Sequence, residues 1–247
     1  MKNLLKISSL FFAIAFIFSC SKQTEVLDDS IFGYNYYPVA IGKVWEYRMD
    51  SILFDTVQKI TKDTTISYYK EEIKDTVRDS QGELLYKIDV FHKADLQSPW
   101  NLIGSNFIIQ DPYQLTKVEN GLRFIKLIFP ILKNKSWNGN NQINEKTEIK
   151  IKGEVFTAYK NWNYYYNEVG RSDSVLNKAY DKVTEVQEAD DENSIEKRFS
   201  LAKYAEGVGL IYREQWFLAT ELFDNKVAWL DKAQRGVIVK QYLISHN

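Results

Sequence analysis

Cysteine, histidine, proline and glycine are all scarce in this chain of 247 residues: one Cys, two His, four Pro and 11 Gly. A lone cysteine cannot close an internal disulfide. So little Gly and Pro removes collagen-like and Pro-rich linker readings. Net charge is missing too. The 32 Lys+Arg and 33 Asp+Glu leave a formal −1, so there is no cationic excess to neutralise phosphates and no nucleic-acid partner is expected. What remains is 45% hydrophobic and 26% charged, enough apolar surface for a core and too much for global disorder. Aromatic residues make up 15% of the chain. Such side chains pack well on pleated surfaces, which points to strands. The length suits one large domain or two small ones.

The amino terminus reads as an address. Lys2 and Lys6 precede Leu10 to Phe18 (LFFAIAFIF), an unbroken apolar run. Nine helical residues span about 13 Å, less than half of a bilayer core of roughly 30 Å, so this is a secretory signal and not a stable span. It ends in Ile17-Phe18-Ser19-Cys20, which resembles the lipobox cut by the lipoprotein signal peptidase. The chain's one cysteine, Cys20, is therefore the expected lipid attachment site. Diacylglycerol on its sulfur and an acyl group on the new amino terminus would hold the chain on a membrane, since anchoring grows by about 0.8 kcal/mol per buried CH₂. Losing residues 1–19 removes two lysines and no carboxylate, taking the charge from −1 to −3. Residues 20–30 read as the lipidated terminus and a polar tether. Ser21 does not resemble the Asp retention signal of inner-membrane lipoproteins. The expected location is the outer membrane, on its periplasmic face rather than the cell surface.

Strand patterns fill residues 31–247. Trp45, Tyr47 and Met49 alternate with Glu46, Arg48 and Asp50, the period of a half-buried strand. Thr65–Val77 and Leu84–Phe91 flank Asp79-Ser80-Gln81-Gly82 and read as a hairpin. Tyr113–Val118 and Leu122–Phe129 flank Asn120-Gly121, the strongest short hairpin signal. Thr147–Tyr159 alternates, with Gly153 as a bulge. Asn163–Val169, Lys182–Val186, Leu210–Leu218 and Gly236–Ile244 continue the series. Two helices are expected: one over Ser194–Tyr204, from Ile195, Phe199 and Ala202 at i, i+4 and i+7, and one over Glu221–Gln234. The polar stretch 171–200 reads as an insertion or irregular connection. The expected fold is mainly β, about eight to ten strands in an antiparallel curved sheet or open barrel, with one or two short helices.

One pattern occurs twice. Tyr37-Pro38 … Gly42-Lys43-Val44-Trp45 is echoed by Phe129-Pro130 … Asn134-Lys135-Ser136-Trp137. Gly and Asn most easily take positive φ, so each copy reads as a turn feeding a strand that opens with a buried Trp. The echo marks either two related halves, 31–128 and 129–247, or a coincidence in one domain.

Catalytic and metal patterns are sparse. His92 and His246 lack partners at zinc spacing, no nucleophile elbow is present, and Gly207-Val208-Gly209 does not complete a phosphate loop. Asp190-Asp191-Glu192-Asn193 lacks the ligand spacing of a Ca²⁺ loop and reads as solvated. No metal, no cofactor and no catalytic residue is expected. The candidate ligand site is Trp162, Tyr164 and Tyr166, three rings able to share one side of a strand. They would stack on a glycan, or simply pack across strands.

The lipobox, Tyr37-Pro38 … Gly42-Lys43-Val44-Trp45, Phe129-Pro130 … Trp137-Asn138-Gly139 and Tyr204-Ala205-Glu206-Gly207-Val208-Gly209-Leu210-Ile211 together resemble uncharacterised cell-envelope lipoproteins of the Bacteroidota. The resemblance implies an envelope lipoprotein with a β-rich body and carries over no catalytic or binding residue. The expected role is a non-catalytic binding or structural module, its partner an envelope protein or glycan. The alternative is a lipid-anchored hydrolase of envelope or imported glycans using a carboxylate pair.

Overall fold

Asn120-Gly121, the hairpin signal above, takes φ of 52° and 79°, the twist a two-residue turn needs to match right-handed strands. That turn is one of a series that winds a single sheet. The computed structural model describes residues 29–55 and 61–247. Cys20, the signal segment 1–19 and the tether up to residue 28 lie outside the described residues. A boundary falls after Ile31, and the account below concerns Phe32–Asn247.

Short 3-10 turns at Asp29–Phe32 and Tyr34–Tyr36 precede β1 (Val44–Asp55). The strands β2 (Thr61–Arg78), β3 (Leu84–Lys93), β4 (Asn101–Gln110), β5 (Gln114–Glu119) and β6 (Leu122–Ile128) follow as a meander. Next come β7 (Ser136–Trp137) and a separate small hairpin of β8 (Glu148–Ile151) and β9 (Glu154–Thr157). The second meander is β10 (Tyr164–Val175), β11 (Lys178–Glu192), β12 (Glu196–Ala205), β13 (Gly209–Ala219) and β14 (Arg235–His246), with the single turn α1 (Trp229–Lys232) before β14. Twelve strands form one antiparallel sheet in the order β6-β5-β4-β3-β2-β1-β14-β13-β12-β11-β10-β7.

The last strand returns to the first. β14 pairs with β1 from Trp45–His246 to Asp55–Arg235. The free edges are then β6 and β7, which are consecutive in the chain. No ladder joins them, but Ile125 N donates to Gly139 O at 2.8 Å and the Trp137 indole donates to Ile125 O at 2.8 Å. Tyr166 locks the same seam, its hydroxyl accepting from Ile128 N at 2.9 Å and donating to Ile128 O at 2.7 Å. The expected curved sheet is thus a nearly closed barrel, which blunts both exposed edges.

Several expectations are corrected. Ser194–Tyr204 is not a helix but β12. Its buried positions, Arg198, Ser200, Ala202 and Tyr204, alternate with period two, and the inward Arg and Ser break the hydrophobic signal. Glu221–Gln234 forms only the one turn α1. The polar stretch 171–200 is no insertion or loop: it belongs to the hairpin β10–β11, whose ladder is interrupted by register shifts, plus the start of β12, turned at Leu176-Asn177 (φ 47° and 65°). Gly153 is not a bulge but, with Lys152, the turn between β8 and β9 (φ 50° and 89°). A Gly-poor chain makes these turns by placing non-glycine residues at positive φ, among them Asn120, Asn134, Asn161 and Asn177. The echoed motifs do match locally. Gly42 (φ 88°) and Asn134 (φ 65°) sit in equivalent turns, closed by Lys43 N to Ala40 O and Lys135 N to Leu132 O, both 3.1 Å.

Fully buried Trp45, Tyr47, Ile73, Ile88, Ile108, Leu115, Leu127, Tyr164 and Tyr166 fill the inside. On the opposite face Phe54, Leu218 and Ile238 hold α1 through Trp229 and Ala233. At Gly236 (φ 117°) a Cβ would lie 1.9 Å from Phe217 O. Gly236→Ala should cost about 3 kcal/mol or more, because backbone must move and the φ is strained. Gly82→Ala, with positive φ but open space, should cost about 1 kcal/mol. Urea unfolding followed by tryptophan fluorescence measures both, and equal losses would contradict this account of Gly236.

Candidate functional site

The inward positions of five strands carry charge. Alternation aims Glu71 (β2), Lys117 and Glu119 (β5) and Arg213 (β13) to the inside, through the facing pairs Trp45–Glu71 and Ala202–Arg213. Lys126 and Glu188 share this phase, two residues after inward Phe124 and Val186, and each sits at a register slip. The β5–β6 register slips so that Leu127 faces Leu115 and Ile125 faces Thr116, leaving Lys126 unpaired. The β11–β12 register slips between Gln187 and Ala189, leaving Glu188 unpaired. Both are bulges, and each brings the following residue, Leu127 or Ala189, opposite an inward partner as well.

These six groups form one network. Lys117 Nζ lies 2.7 and 2.9 Å from the two oxygens of Glu71 and 3.1 Å from Glu119. Arg213 Nη1 donates to the second Glu119 oxygen at 3.3 Å, and Nη2 is 3.7 Å from Glu188. Lys126 Nζ is 3.1 Å from Glu188 and 4.0 Å from Glu119. Ser200 Oγ donates to Glu188 at 2.6 Å. Glu188 is fully buried.

Burial alone would raise the carboxyls, but the adjacent cations outweigh it. Lys117, Arg213 and Lys126 hold Glu119 far below its usual range. Lys126 and Arg213 also hold Glu188 down. Burial lowers Lys126, Arg213 adds to this, and the facing carboxylates restore only part. Burial pushes the phenols of Tyr47, Tyr164 and Tyr204 well up. At neutral pH the carboxylates are therefore anions and the phenols neutral.

Beside the network lies a cavity of about 440 Å³. Exposed Gly104, Ser105 and Asn120 stand at its rim. Buried Glu71, Phe124 and Phe217 form its floor, and Glu119, Arg213, Gln215, Tyr69 and Tyr159 its walls.

The residues singled out from sequence sit elsewhere in the interior. Trp162 is 7% exposed, and Tyr164 and Tyr166 are 0%. The Trp162 indole donates to Ala158 O at 2.8 Å, the Tyr164 hydroxyl to Asn140 Oδ1 at 2.9 Å, and Tyr166 closes the seam. Trp162 packs on Tyr164 at 5.9 Å, and Trp137 packs on Tyr164 and Tyr166 at 5.6 and 4.8 Å. No face of the three rings is open to a glycan; they are engaged in cross-strand packing. His92 lies edge-on to Tyr69, and His246 ends β14 near Lys178. Val208, between the two glycines, accepts the Trp45 indole at 2.6 Å. Asp191 and Glu192, expected in a solvated loop, end β11 and pair with Arg198 and Lys197. Among the described residues no group of three or more His, Cys, Asp or Glu could hold a metal. Sequence reasoning missed all six network residues. The one signal was charge at alternate inward positions, as in Leu115-x-Lys117-x-Glu119.

No protein-family model and no curated protein matches this chain. Two solved structures are similar to it. One, from Bacteroides fragilis NCTC 9343, is designated an exported protein with a YmcC-like fold. It is 10% identical, with a TM-score of 0.35, covering 85% of this chain and 98% of that one. The other, from Parabacteroides distasonis ATCC 8503, is designated a lipoprotein. It is 11% identical, with a TM-score of 0.34, covering 86% and 98%. Overlaps this shallow carry neither fold nor role across.

Removing one member of a buried pair strands the other. Lys126→Met and Glu188→Gln should each cost about 3–5 kcal/mol, and the double variant less than their sum. Additivity in urea unfolding would show that the pair is not coupled. Glu119 and Glu188 titrate below their ordinary value of 4.5 in the folded chain. Their contribution is therefore complete above that value and is lost as pH falls through the folded values. Glu119→Gln should flatten the acid limb of stability against pH, measured by thermal unfolding from pH 7 to 2.

Proposed function

We propose that this chain is a lipid-anchored protein of the cell envelope, held at the outer membrane through Cys20, whose barrel is a binding module and not a hydrolase. The observation that carries the second half is the state of the interior carboxylates. A glycosidase needs one carboxylic acid with a raised pKa beside a carboxylate base or nucleophile. Here Glu71, Glu119 and Glu188 all face cations, and Glu119 and Glu188 are shifted the opposite way. An acyl-chain carrier is disfavoured too, because the charged and amide lining would lose solvation without gaining partners.

The outer face of the sheet supports attachment through lipid rather than strands. Arg48–Asp50 at 2.7 Å and Lys240–Glu214 at 3.1 Å lie outside the barrel on β1, β13 and β14. A charge on the lipid-facing band of a membrane barrel costs about 2–4 kcal/mol at mid-depth. Lys2, Lys6, the apolar run and Ser19-Cys20 supply the alternative anchor.

Palmitate labelling of cells expressing wild type and Cys20→Ala, with and without globomycin, tests the anchor. Label should enter the wild type only, and globomycin should leave the longer precursor. Label retained in Cys20→Ala would overturn the assignment.

A further inference from the structure

We infer that the 440 Å³ cavity is a site for an uncharged, hydroxyl-rich ring compound of mono- or disaccharide size. This deepens the binding-module reading and rests on it. The volume lies within the roughly 300–1,000 Å³ of small-molecule sites, and the lining chooses the chemistry. Three carboxylates and three cations of the network are already matched. A ligand with net charge would add an uncompensated charge beside a buried neutral set.

The cavity wall holds a second class of group. Asn106, Gln241, Tyr69 and Tyr159 line it half-buried, and among the described residues their amides and hydroxyls have no hydrogen-bond partner. Alternation places Gln241 there, since it faces Met49 on β1 and Arg213 on β13. Asn106 faces Ile88 in the same way. Among the described residues Arg213 makes a single hydrogen bond, to Glu119, and its Nε has no partner. Amides and phenols both donate and accept, which is what vicinal hydroxyls offer in return. An apolar occupant would leave each of these groups unpaired at about 1–3 kcal/mol apiece. Buried Phe124 and Phe217 add apolar contact at the cavity floor.

The test uses the lipidated chain in detergent, with glucose, galactose, mannose, N-acetylglucosamine, maltose and cellobiose as probes. Glucuronate and laurate serve as the charged and apolar comparisons, and saturation-transfer NMR and calorimetric titration give the readout. At least one neutral sugar should bind saturably. Gln241→Leu should weaken it about tenfold or more, the loss of roughly one well-made polar contact. Should that variant fail to fold, Asn106→Ala near the exposed rim reads the same loss. Absence of saturable binding by all six sugars would overturn the inference, as would tighter binding of glucuronate or laurate. Either of those two would still leave a binding module standing. Release of nitrophenol from nitrophenyl glucosides or galactosides by the wild type would instead overturn the non-catalytic reading itself.

Discussion

Six ionised groups share the inside of one barrel, and their mutual neutralisation is the condition for the rest of the structure. Desolvating a single carboxylate or ammonium costs several kcal/mol, and only close opposite charge and hydrogen bonds recover it. Glu71, Lys117, Glu119, Arg213, Glu188 and Lys126 come from strands on both sides of the β1–β14 pair. They meet only if the sheet rolls up. The network therefore favours the nearly closed barrel over any flatter arrangement of the same strands.

Closure depends on two local devices. The seam between β6 and β7 is sealed without a ladder, by the Trp137 indole, the Tyr166 hydroxyl and the Gly139 carbonyl. Close approach at the seam also explains Gly139. A Cβ there would lie 2.5 Å from the Tyr164 ring, so the glycine is chosen for space and not for backbone freedom. The bulges at Lys126 and Glu188 are the second device. Each slip leaves its own residue in the inward phase of Phe124 or Val186 and brings the next one, Leu127 or Ala189, opposite an inward partner as well, which bends the strand locally.

The interior separates into two kinds of polar group with different consequences. Charges deep in the barrel are engaged with one another and fix its shape. Among the described residues Asn106, Gln241, Tyr69 and Tyr159 at the cavity have no internal hydrogen-bond partner, and neither have the deeper hydroxyls of Tyr37 and Tyr47. A protein that hydrolysed its ligand would need the reverse, an uncommitted carboxyl in a tuned environment. The charge network thus belongs to the scaffold, while the proposed ligand would meet the uncommitted amides and phenols of the cavity.

The sequence by itself determined the β-rich class, the Asn120-Gly121 and Asp79–Gly82 hairpins and the turns before Trp45 and Trp137, because each rests on a few neighbouring residues. It misread β12 as a helix, since Arg198 and Ser200 point inward where alternation expects apolar side chains. It left Trp162, Tyr164 and Tyr166 between a ligand face and cross-strand packing, since alternation says which rings share a side but not whether that side meets solvent or core. Only the tertiary structure decided the pairing of β14 with β1, the seam, the charge network and the cavity. Glu71 and Lys117 are 46 residues apart and Lys126 and Glu188 are 62. Contacts over such distances are set by sheet order and closure, and a local pattern carries neither.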